Sequence, residues 1–109
     1  MSRREKLRKM LEENPDDVFL NFGLAMELAK EGATQAAIAQ FNRVLELDGR
    51  YLAAHFQKGS TLIAAARIEE ARAALSSGVD AARAAGDPHA ESEMRALLDS
   101  LVYTPRGLN

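Results

Sequence analysis

Two stretches of this chain match each other at an offset of 34 residues, and a chain built that way is constrained to stack like unit on like. The offset aligns Phe22 with Phe56, Leu28 with Leu62 and Ala37 with Ala71. Elsewhere character is kept rather than identity: Ala25 meets Gly59, Phe41 meets Leu75, Val18 meets Leu52, and the helix-ending Pro15 meets Gly49. A unit this short cannot bury its own apolar face, so its neighbours on either side have to cover it.

The units are helical. Alanine and leucine recur at helical spacing, β-branched residues are sparse, and no strand-length alternation occurs. Six helices are expected. The first runs from about Ser2 to Glu13 and is stopped by Asn14-Pro15; Asp16-Asp17 suit the start of the second, which carries Phe19, Phe22, Leu24, Ala25 and Leu28. Gly32 suits a left-handed cap, Thr34 is read as the cap of the third helix, and Asp48-Gly49 closes that helix after Leu47. The fourth begins near Tyr51, but Ala64-Ala65-Ala66-Arg67 holds neither glycine nor proline where a turn is needed, so one unbroken helix is the rival reading there. Gly86, Asp87 and Pro88 mark the last break, before a helix that buries Met94, Leu97, Leu98 and Leu101.

These residues carry a resemblance to the tetratricopeptide repeat family, and to its small bacterial type. The family's unit of about 34 residues has small side chains at its eighth and twentieth positions and an aromatic at its twenty-fourth. Counted from Val18, those places hold Ala25, Ala37 and Phe41; counted from Leu52 they hold Gly59, Ala71 and Leu75. Val44 to Asp48 resemble the usual end of a second helix. Departures are Asn21 and His55 at the place of the family's tryptophan, Lys58 where leucine is usual, and Gly78 where alanine is. Lys58 is read as laying its stem along the core edge and sending its charge to water. The resemblance implies an all-α fold, an α-α superhelix of two full repeats flanked by N- and C-terminal capping helices. Residues 1–102 are expected to form this single domain and 103–109 a flexible tail.

Chemistry beyond binding finds little support. There is no cysteine, which removes disulfides and thiolate sites together, and a reducing, cytoplasmic location fits. His55 and His89 lie one period apart without a ligand cluster, so packing and surface roles are assigned to them, with no metal and no cofactor. The acidic pairs Glu12-Glu13, Asp16-Asp17 and Glu69-Glu70 suit caps and solvated faces. No catalytic constellation is present, and the chain is read as no enzyme. A net charge of −2 gives no broad reason to expect nucleic acid or an anionic membrane, and the basic run Arg3, Arg4, Lys6, Arg8 and Lys9 reads as the outer face of a terminal helix. No apolar run approaches the roughly 18 residues of a membrane span.

The resemblance places ligands on the concave surface made by the first helix of each repeat. In this sequence the corresponding side chains include Phe19, Phe22, Met26 and Lys30, then Ala53, Phe56, Ser60 and Ile63. The trough is apolar, which implies an unidentified protein or peptide partner bound through an apolar helix or segment. The alternatives are a second copy of the chain on the same surface, giving a homo-oligomer, a last helix folded over the trough so that the phenylalanines become core, and the tail Tyr103 to Asn109 competing for it. Relatives that clamp a chaperone's terminal carboxylate use basic and polar side chains where Phe22 and Phe56 stand, so that ligand is disfavoured.

Overall fold

The computed structural model describes residues 1–102, and the tail 103–109 lies outside the described residues. Six helices follow one another: α1 (Arg3–Glu13), α2 (Val18–Lys30), α3 (Thr34–Leu47), α4 (Leu52–Ala64), α5 (Ile68–Ala84) and α6 (Pro88–Val102). Each packs chiefly on its neighbours in sequence, with α2 against α3 and α4 against α5 as the two full repeats and α1 and α6 at the ends. The result is a slab of 49 × 35 × 17 Å, the shape of a short superhelix and not of a ball.

Local chemistry explains the boundaries. The Ser2 hydroxyl accepts from the Glu5 amide while the Glu5 carboxylate accepts from the Ser2 amide, a reciprocal cap on α1. Asp17 caps α2 by accepting from the Leu20 amide at 2.9 Å, and Asp87 does the same for α6 through Ala90. The third helix differs from expectation. Ala33 occupies its cap position without any side-chain bond, and Thr34 is already the first helical residue, because Ala33, whose amide closes the Gly32 turn on Leu28, also accepts the first helical bond, from Ala37.

The badly punctuated turn does break the chain between α4 and α5. Gly32, Ala66 and Gly86 all have left-handed backbones, with φ of 80°, 61° and 69°. Each is followed by an amide that donates back to a helical carbonyl: Ala33 to Leu28, Arg67 to Leu62 and Asp87 to Ala82, all at 2.9 Å. One helix-ending device is thus used three times, and Ala66 is held in it by its hydrogen bonds although an alanine is strained there. The unbroken helix is excluded.

Small residues let the helices approach. Ala25, Ala37 and Ala71 have no exposed surface, and a Cβ at Gly59 would stand 2.6 Å from the Leu75 side chain. Phe41, Val44, Leu62, Leu75 and Met94 fill the space around these crossings. Of the last helix's expected core set, Met94 and Leu101 are buried and Leu97 and Leu98 half-buried.

The two residues standing in place of tryptophan share one task. Asn21 donates to the carbonyls of Pro15 and Asp17, and His55 Nε2 lies 3.1 Å from the carbonyl of Gly49, which makes it the protonated nitrogen. Donor and acceptor positions are both one period apart, so each repeat fastens the loop that enters it with a buried polar side chain. His89, next in the series, is exposed and approaches only Glu93.

Candidate functional site

The helices α2, α4 and α6 line one face, and two open grooves run between them. The first, about 590 Å³, lies between α2 and α4 and is lined by Met26, Ala29 and Lys30 on one side and Gln57, Ser60 and Ala64 on the other. The second, about 330 Å³, lies between α4 and α6, with Ala53, Phe56 and Gln57 facing Ala90, Glu93 and Met94. Gln57 borders both grooves and so joins them.

Of the residues singled out from the sequence, Met26, Lys30 and Ser60 come together in the first groove and Ala53 and Phe56 in the second. Phe19 projects from the first turn of α2, 73% exposed. Phe22, Met26, Phe56 and Ile63 are all only half open, packed against the core. Phe22 is wedged between Phe41, at a ring-centroid distance of 6.0 Å, and Tyr51, at 5.0 Å. Tyr51 and Gln57 escaped the sequence reading. Gln57 was within reach of it, because Ala53, Gln57, Ser60 and Ala64 follow helical i, i+4, i+7 spacing on one stripe. Tyr51 was not, since it stacks on Phe22 from the following repeat.

The last helix does not cover this face. It lies against α5 as the next member of the stack, which leaves the α4–α6 groove open. Charges sit at the edges: Glu27 pairs with Arg3 of α1 at 3.1 Å and approaches Lys30 of its own helix. Among the described residues no group of three or more histidine, aspartate or glutamate side chains is placed to hold a metal ion, and no helix is long and apolar enough to cross a membrane. The face offers apolar side chains, amides and hydroxyls, which equips it for contact.

The family pattern described as tetratricopeptide repeat matches residues 28–98. The chain belongs to the tetratricopeptide repeat family. It is 34% identical over 97 residues to a TPR repeat-containing protein of Pseudomonas aeruginosa, PA0015, covering 89% of this chain and 92% of that one. The solution structure of BPP2914 from Bordetella parapertussis is similar at a TM-score of 0.81 and 29% identity, covering 94% of this chain and 89% of that one. The TPR2B domain of yeast Sti1, solved in complex with pHsp70, has the same fold, with a TM-score of 0.82 at 21% identity over 91% of this chain and 79% of that one. Tetratricopeptide folds of this kind serve as protein-interaction modules.

Proposed function

We propose that residues 1–102 act as one binding module whose α2–α4–α6 face takes up an apolar segment of a partner protein, without catalysis and in the cytoplasm. The observation that carries this reading is a pair of open grooves connected by Gln57, with the exposed Phe19 two helical turns before the groove-lining Met26 on the same stripe of α2. Phe19, Met26 and Phe56 are the anchors. Lys30, Ala53 and Ser60 border them, and Phe22 and Ile63 support the face from beneath. Burial of an exposed large apolar side chain is worth about 1.5–3 kcal/mol, a gain open in full only to Phe19, since Met26 and Phe56 are already partly covered.

The Sti1 domain shows that this fold holds a chaperone-derived partner in another protein. Phe22 and Phe56 argue for a less polar ligand here. A second copy of the chain is the competing occupant, favoured by the same exposed Phe19.

A photoreactive phenylalanine at position 19, 26 or 53 tests the assignment in cells. Crosslinks to one common protein from all three positions, and none from Ala39 or Glu46 of α3, which line neither groove, are expected. Crosslinking only between copies of the chain would assign the face to self-association. Equal yield from the α3 positions would remove the assignment.

A further inference from the structure

The opposite face also carries a groove at each junction between repeats, and its two copies differ at the floor. In the first, about 500 Å³ between α1, α2 and α3, Leu24 forms the floor and is 3% exposed. Gln40 donates to Asn21 across this groove, and Arg43 reaches Asp16 at 2.6 Å. One period later Lys58 stands in place of Leu24, Ala74 in place of Gln40 and Ser77 in place of Arg43. The second groove, about 560 Å³ between α3, α4 and α5, is therefore lined by Lys58 where the first has Leu24, and it lacks counterparts of Gln40 and Arg43.

Among the described residues Lys58 has no carboxylate to itself. It forms no ion pair among the described residues, although it is half-buried. Glu70, the carboxylate whose charge it feels, is already held by Arg67 through two hydrogen bonds of 2.8 and 2.7 Å. The remaining Arg67 Nη1 is spent on Gln35 across the groove at 3.0 Å. Burial pushes the Lys58 ammonium below the usual lysine range, with the Glu70 charge acting against that shift. A half-buried cation in a leucine position shares the Glu70 carboxylate with Arg67, and the groove above it is open.

We propose that this outer groove binds a single carboxylate on a short aliphatic stem. Lys58 is the counter-ion, Asn42 and Ser77 are the flanking donors, and Ile38, Leu45 and Leu62 hold the stem. Lys58 and Arg67 together exceed Glu70 by one positive charge, which one carboxylate matches, and Glu70 opposes a dianion such as phosphate more strongly than a monoanion. The occupant is a free aliphatic acid; a glutamate on a partner presents the same chemistry at Lys58 and is the competing outcome of the test.

The full chain, labelled with ¹⁵N, is titrated with hexanoate, with hexanol, and with a helical peptide carrying one glutamate. Hexanoate is expected to shift the amides of Ile38, Asn42, Leu45, Ala74 and Ser77 saturably, and hexanol is not. Lys58→Leu restores the residue of the first groove, and it is expected to weaken hexanoate binding by about fivefold or more while melting no earlier than the parent. Lys58→Gln carries the same test if the leucine variant does not fold. Hexanoate shifts without peptide shifts are the expected result, and peptide shifts on the same amides would overturn the free acid as occupant in favour of a partner's glutamate. No shifts from either ligand, or undiminished shifts in both Lys58 variants, would overturn the proposal.

Discussion

Gly78 measures how closely α4, α5 and α6 approach. A Cβ at this position would stand 2.8 Å from the Cβ of His55 and would also strike the Met94 sulfur. The Cβ of residue 55 belongs to any side chain except glycine, so the clash is with the path of α4 itself. Gly78→Ala is therefore expected to lower stability by about 1–3 kcal/mol in urea unfolding, even though alanine is the better helix former by about 1 kcal/mol. An unfolding midpoint that rises instead would show that α5 has slack there. Ala66 predicts the opposite sign: its left-handed φ of 61° is strained for alanine, and Ala66→Gly should stabilise by about 0.5–1 kcal/mol, visible as a higher melting temperature. The sequence reading noted both positions as departures. It had no access to the neighbouring backbone or to the dihedral angle that give them their meaning.

Within α2, Phe19 and Phe22 are one turn apart and play different parts. Phe22→Ser removes a ring packed against Phe41 and Tyr51 and is expected to cost about 2–3 kcal/mol, while Phe19→Ser should change stability by no more than about 0.5 kcal/mol. Paired chemical-denaturation curves check this, and equal losses would contradict the division. Helical periodicity put both phenylalanines on roughly the same face. Which one is covered depends on Tyr51, supplied from beyond α3, and a contact between repeats leaves no trace in the spacing of a single helix. The junction of α5 and α6 makes a pH prediction. Glu91 accepts from Arg83 at 2.9 Å and from Arg95 at 3.3 Å, and the Arg83 bond first, then that of Arg95, holds its carboxyl below the usual range. A depressed folded-state pKa stabilises the fold above the unfolded-state value, and the contribution is lost as pH falls through the folded value. The melting temperature of Glu91→Gln should lie below the parent's at neutral pH and converge with it on acidification. A gap that persists below the carboxylate range would show that Glu91 acts through packing.

At the scale of the whole molecule, the slab presents one face made by α2, α4 and α6 and another crossed by the grooves between α1, α3 and α5. The 34-residue offset made the stacking legible, because small residues at Ala25, Ala37, Gly59 and Ala71 fix where helices cross. Whether the trough stays open was not legible. It depends on α6 lying beside α5 instead of across α2 and α4, and the apolar stripe of α6 suits either position. The central claim is that the α2–α4–α6 face is the one that binds. Its most direct test is an amide shift map of the ¹⁵N-labelled chain with an apolar helical peptide selected for binding from a random library. Shifts centred on Phe19, Met26, Ala53, Phe56 and Ser60, abolished by Phe19→Ser with Phe56→Ser, are the predicted result; shifts centred on α3 and α5, or binding untouched by that double change, would contradict it.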